Sequence, residues 1–124
     1  MRIGEVSRRT GHDASKLRYW EAVGLLPPPP RVAGKRAYPP DVVERIAVID
    51  LARKAGFTLD EIRELLDGIA TGVAPGKQWA ALVERKRPEV DELIARAQAM
   101  RRLLDQLAAC TCPTLEDCAV ASTP

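Results

Sequence analysis

The chain has 124 residues, of which 46% are hydrophobic, 29% charged and only 4% aromatic; that is material for one modest core plus an extended arm, and the scarcity of alternating β-branched runs argues for a mostly helical fold. No apolar run approaches the ~20 residues that span a bilayer, and the first residues lack the apolar core of a secretion signal, so a cytoplasmic protein with no membrane partner is expected. The net charge of +2 conceals an asymmetry: residues 1–40 carry eight Lys or Arg against three acids, whereas residues 41–67 are net negative, and a locally basic head is what neutralising phosphates requires.

Ile3 to Arg9 reads as a short helix with Ile3 and Val6 inward, closed by Thr10-Gly11. Asp13 is placed to cap a second short helix, Ala14 to Ala22, which Gly24 ends. Two short helices around a tight turn form a helix-turn-helix pattern, with His12 as a turn residue. On the second helix Leu17 points to the core, while Ser15, Arg18, Tyr19 and Ala22 share the opposite face, the one presented to DNA. Leu25-Leu26 and the four prolines Pro27 to Pro30 then impose an extended path. Arg31 to Tyr38 follows as a small basic hairpin with Gly34 at its tip.

After Pro39-Pro40, the apolar positions Val43, Ile46, Ile49 and Leu51 predict a third helix to about Ala55, with Gly56 at its C-terminal cap. Thr58-Leu59-Asp60-Glu61 is a capping box, and Leu59, Ile62, Leu65, Leu66 and Ile69 give a fourth helix its buried stripe. Ala70 to Gly76 reads as a linker. Beyond it, Val83, Val90, Ala97 and Leu104 fall seven apart, as do Trp79, Lys86, Leu93, Met100 and Leu107, a coiled-coil seam of roughly four heptads. Such a stripe calls for a partner, an antiparallel copy of the chain or, alternatively, the chain's own head. Pro88 conflicts locally with this helix and predicts a kink or a late start.

All three cysteines lie in one nine-residue stretch, Cys110 to Cys118. An odd number precludes complete intramolecular disulfide pairing, and closely spaced thiols can share one soft ion in a reducing compartment. An enzyme is disfavoured, because there is one histidine, no nucleophile-base-acid spacing and no phosphate-cradling glycine motif.

Taken in order, Leu17-Arg18-Tyr19-Trp20-Glu21-Ala22-Val23-Gly24-Leu25-Leu26, Arg36-Ala37-Tyr38, Arg45-Ile46 and Ala55-Gly56-Phe57-Thr58-Leu59-Asp60-Glu61-Ile62 resemble the MerR family of transcription regulators. The resemblance implies a winged helix-turn-helix head over residues 1–69, a linker at 70–76, an antiparallel coiled-coil dimerisation helix at 77–109 and a cysteine-rich effector loop and tail at 110–124. It further implies a homodimer on double-stranded promoter DNA, which activates transcription by distorting an over-long operator spacer so that RNA polymerase can engage both elements. By position, Arg18 and Tyr19 on the recognition helix and Arg36 and Tyr38 in the wing are the expected DNA contacts, with Lys16, Arg31 and Lys35 as supporting phosphate contacts. Trp20 stands where the family more often has a second tyrosine, Lys35 stands where an aromatic residue commonly precedes the wing arginine, and the wing loop is one residue short. Trp20 is expected to pack between the first two helices.

Within the family the loop after the dimer helix holds the effector. The Cys110 to Cys118 spacing resembles that of the copper branch, where two thiolates suit Cu(I). The mercury branch adds a thiolate from the start of the partner's long helix, where this chain reads Pro75-Gly76-Lys77-Gln78, leaving three loop thiols for Hg(II) or a trivalent metalloid. The redox branch holds a [2Fe-2S] cluster on four cysteines; the last three match Cys110, Cys112 and Cys118, but the first falls on Leu107. Zn(II) would also want a fourth ligand, and the single His12 is far along the chain. A drug-sensing relative would carry a further ligand-binding domain. From another class, a metal-sequestering protein with a vestigial DNA head remains an alternative.

Overall fold

The computed structural model describes residues 1–118, so the expected tail at 119–124 lies outside the described residues. The chain is mostly α, in the order α1 (Ile3–Thr10), α2 (Ala14–Ala22), β1 (Arg31–Val32), β2 (Lys35–Arg36), α3 (Val42–Lys54), α4 (Leu59–Ala70) and α5 (Pro75–Ala108). It divides into two units, Met1–Leu82 and a second that begins at Val83.

In the first unit the turn between α1 and α2 is set by its ends. Gly11 takes a left-handed φ of 76° and returns its N–H to Ser7 O, a conformation that a β-carbon would disfavour. The Asp13 carboxylate accepts from the Lys16 N–H at 2.8 Å, which starts α2. Leu17 and Trp20 of α2 are wholly buried with Val6, Leu25, Ile49 and Ile62, whereas Ser15, Arg18, Tyr19 and Ala22 are exposed on the other face, as their spacing predicts. Trp20 is therefore a core residue. His12 does more than turn the chain: its Nε2 meets both carboxylate oxygens of Asp50 on α3 at 2.8 and 2.9 Å, and its ring stands edge-on to Trp20 with centroids 5.0 Å apart.

On α3 the buried residues are Val42, Ile46, Ile49 and Ala52, while Leu51 is 61% exposed. The expectation that Leu51 faces inward is corrected by helical geometry, since a residue two positions after Ile49 is turned to the far side and Ala52, three after it, is not. The capping box at α4 is complete, with Thr58 Oγ1 accepting from the Glu61 N–H at 3.2 Å and the Glu61 carboxylate accepting from the Thr58 N–H at 2.9 Å. Thr58→Ala is expected to cost about 1 kcal/mol, read in a thermal melt as a midpoint lowered by about 4–8 °C; an unchanged midpoint would mean that the cap is not holding this helix end.

The wing is a two-residue hairpin. Arg31 pairs with Arg36 and Val32 with Lys35, and both turn residues have positive φ, 53° at Ala33 and 76° at Gly34. Such a turn matches the natural twist of paired strands, which keeps so short a hairpin regular.

The expected linker at 70–76 is shorter in the structure, because α5 already begins at Pro75. Proline lacks only an N–H that the first turn of a helix leaves unused, so it starts this helix rather than delaying it. Pro88 does not divide α5, which is one helix of 34 residues; Glu84, whose carbonyl loses its usual donor there, is exposed to water. The first turns of α5 pack on the head. Trp79 lies against Phe57 with ring centroids 5.9 Å apart, Leu82 is buried, and the Gln78 side chain donates to Glu64 O at 3.2 Å. Trp79, half-buried, thus makes a ring contact with Phe57 of its own head, in addition to holding a place in the heptad register. In the second unit Val90, Leu93, Ile94, Met100, Leu104 and Leu107 are exposed along α5. No described helix is long and apolar enough to cross a membrane.

Candidate nucleic-acid interface and thiol cluster

Arg18 and Tyr19 project from the exposed face of α2, and Arg31 and Lys35 are exposed on the wing. The remaining three expected contacts are placed differently. Tyr38 is 3% exposed, and its hydroxyl donates to the Glu21 carboxylate on α2. Burial, reinforced by the hydrogen bond and negative charge of Glu21, pushes the phenol up to about 12, so it stays a donor at any ordinary pH. The expectation of Tyr38 as a DNA contact is therefore corrected: it lies under the wing and fastens it to the recognition helix. Arg36, partly buried, joins the same carboxylate through Nε at 3.1 Å. Lys16 holds its ammonium 5.2 Å from the Trp20 ring centroid, a cation–π contact that draws it toward the core side of α2.

Glu21 was not singled out from sequence, although it stands inside the most recognisable motif of the chain. Its role depends on a pairing across 15 and 17 residues, which linear spacing does not carry. Arg2 was missed for a similar reason. The Tyr38 N–H donates to Met1 O at 2.7 Å, which lays the start of the chain beside the wing, and Arg2 Nη1 donates to Val32 O at 3.0 Å. Arg2, Arg18, Arg31, Lys35 and Arg36 consequently line one open concavity of about 390 Å³, and none of its seven lining residues is acidic. A concave surface bearing five cations is built to receive phosphate oxygens.

Two arginines hold the far end of α2. Arg45 Nε donates to Leu25 O at 2.9 Å, and Arg63 donates to Val23 O. These carbonyls follow the last turn of a helix, where cationic donors are favourable.

The cysteines gather where α5 ends. The Cys110 N–H still bonds back to Leu107 O at 3.2 Å, and a turn follows in which the N–H groups of Asp117 and Cys118 reach Thr114 O and Leu115 O at 3.3 and 3.2 Å. Thr114 Oγ1 closes that turn on the Asp117 carboxylate at 2.7 Å. It returns Cys118 toward Cys110 and Cys112, so that the three half-buried Sγ atoms lie within 4.8 Å of one another. Donation from the Cys112 backbone N–H, then from the Cys112 thiol, and to a smaller extent from Cys118, holds the Cys110 thiol below its ordinary range against an opposing effect of burial. Sulfurs about 2.3 Å from a shared ion stand about 4.0 Å apart in a trigonal site and about 4.6 Å apart in a linear one, so these thiols fit an ion with little rearrangement. Among the described residues no His, Asp or Glu joins the group. Leu107, where a fourth cluster ligand would fall, offers no donor.

A basic winged helix-turn-helix head followed by a long helix and a thiol cluster defines a DNA-binding regulator. The family model described as the MerR HTH family regulatory protein matches residues 1–69, and that described as MerR, DNA binding matches residues 43–107. An HTH-type transcriptional activator SoxR homolog of Chromobacterium violaceum is 32% identical over 94% of this chain and 79% of its own length. The HTH-type transcriptional regulator CueR of Yersinia pestis is 32% identical over 99% of this chain and 90% of its own. The crystal structure of the transcription regulator PbrR691 from Ralstonia metallidurans CH34 in complex with lead(II) superposes with a TM-score of 0.77 at 32% identity, covering 97% of this chain and 95% of that one. The chain belongs to the MerR family of transcription regulators and binds DNA.

Proposed function

We propose that the chain is a homodimeric transcriptional activator that senses a soft metal ion through Cys110, Cys112 and Cys118. The observation that carries this reading is the convergence of three Sγ atoms within 4.8 Å. An all-thiolate donor set selects soft ions, and three thiolates in one loop favour a three-coordinate guest, Hg(II), Pb(II) or a trivalent metalloid, over two-coordinate Cu(I). The similarity to a lead(II)-bound regulator over nearly the whole of both chains supports the same choice.

When bound, the ion supplies a cross-link among the three sulfurs in place of their protons. The chain's own residues do the rest. The Thr114–Asp117 turn holds Cys118 in reach, and the exposed stripe from Val90 to Leu107 pairs with an antiparallel copy of itself, the usual fate of an apolar seam of this length. The head grips promoter DNA through Arg18 and Tyr19, with Arg31 and Lys35 on the backbone. Distortion of the bound operator then aligns the promoter for RNA polymerase. Binding alone performs this work, without a catalytic step.

Anaerobic purification followed by a visible spectrum and elemental analysis tests the reading. Colourless protein that takes up one soft ion per site is expected. Brown protein containing iron and sulfide would replace it with an iron–sulfur redox regulator. Arg18→Ala is expected to weaken operator binding by about 1–3 kcal/mol. Unchanged binding in a gel-shift titration would misassign the head and leave a metal-sequestering protein as the better description.

A further inference from the structure

The five cations of the concavity beside the wing are not equivalent. Arg36 is partly buried and has Nε on the Glu21 carboxylate at 3.1 Å, a carboxylate that also accepts from Tyr38. That pair is formally neutral, and its geometry is fixed from both sides, by the recognition helix and by the exit of the wing. Arg2 is exposed and has no acidic partner among the described residues; Nη1 rests on the neutral carbonyl of Val32 at 3.0 Å. It keeps its whole charge and the remaining donors of its fork, and the backbone bond between Tyr38 and Met1 fixes its base against the wing. Arg31 is likewise steadied on a neutral carbonyl, Gly34 O at 3.1 Å. Guanidinium groups anchored by one nitrogen and bearing no counter-charge are pre-organised for phosphate.

We propose that Arg2 is a further phosphate-binding residue, which with Arg18, Arg31 and Lys35 seats the backbone of duplex DNA in this concavity, while Glu21 withholds Arg36 from it. Arg36 is then a positioning residue, and Glu21 sets how much charge the head presents to any DNA, cognate or not. The proposal rests on the DNA-binding reading of the head but needs no operator sequence, because phosphate contacts are indifferent to sequence.

The test is the salt dependence of binding to a random-sequence duplex, measured by fluorescence anisotropy on the full chain from about 50 to about 200 mM KCl. Arg2→Gln is expected to make the slope of log K against log salt shallower by about 0.9, the amount for one lost phosphate contact, at an unchanged melting temperature. Arg2→Lys, which retains the charge, restores it. Glu21→Gln is expected to bind more tightly and with a steeper slope, as Arg36 is released. A purely structural role for Glu21 would instead weaken binding without steepening the slope, and that result overturns the proposal. So does an Arg2→Gln slope equal to that of the unaltered chain, or an Arg2→Lys slope as shallow as that of Arg2→Gln. If the unaltered chain binds no duplex at all, the DNA-binding reading itself falls, a result distinct from the loss of Arg2 alone.

Discussion

Cys112→Ser and Cys118→Ser are each expected to abolish the response to metal while leaving operator affinity without metal within a few-fold of its normal value. Serine at either position removes one of three sulfurs that lie within 4.8 Å of one another. Its hydroxyl stays protonated at neutral pH and is a poor donor to a soft ion. Loss of a direct ligand should exceed the 10–100-fold effect typical of outer-shell changes, so a fall in metal affinity of more than about 100-fold is expected. The head is expected to be spared because the thiols belong to the unit that begins at Val83, whereas the proposed DNA contacts belong to the unit Met1–Leu82. A chelator-competition titration gives the first quantity and a gel shift with metal-free protein the second. Metal-free variants that no longer bind the operator would show that the cysteines support the fold and would remove the basis for a sensor.

The second large effect is expected at Trp20. Trp20→Ala should cost about 3–5 kcal/mol, the range for deleting a large aromatic side chain from a packed core, and in a small head of marginal stability that is enough to unfold much of the population. Trp20→Phe should cost a minor part of this. The indole Nε1 is buried without a hydrogen-bond partner among the described residues, so exchanging it for carbon relieves an unsatisfied donor and offsets some of the lost volume. What phenylalanine cannot fully replace is the broad ring face beside Lys16 and the edge contact with His12. Urea unfolding followed by circular dichroism compares the two variants. A phenylalanine variant as unstable as the alanine one would mean that the indole N–H has a partner after all.

Much of the architecture was legible because it is written in local signals. Asp13, Gly11 and the Thr58–Glu61 box mark helix ends by chemistry that acts within three or four residues, and each stands where the sequence places it. The thiol cluster was legible in part: nine residues hold all three cysteines, but an extended stretch of that length would span about 26 Å, and it is the turn closed by Thr114 and Asp117 that returns Cys118 to the other two. What escaped were relations between distant residues. Tyr38 looked like a wing contact by position, yet its ring completes the core and its hydroxyl meets Glu21, 17 residues earlier. Trp79 fits a heptad register that continues to Leu107, but its neighbour in space is Phe57. A repeating pattern identifies the face of a helix without saying which partner covers each stretch of it, and α5 uses its first turns for the head. Leu51 failed for a simpler reason, since a helix is apolar on its outside whenever no polar residue is required there.

One close approach fixes how this head can vary. The side chain of Gln78 fills the space beside Gly68 where a β-carbon would stand, and its amide caps the Glu64 carbonyl from there. A side chain at position 68 would therefore displace the flexible end of Gln78 and with it the hydrogen bond to Glu64 O, and the root of the long helix would then be fastened to α4 by some other contact.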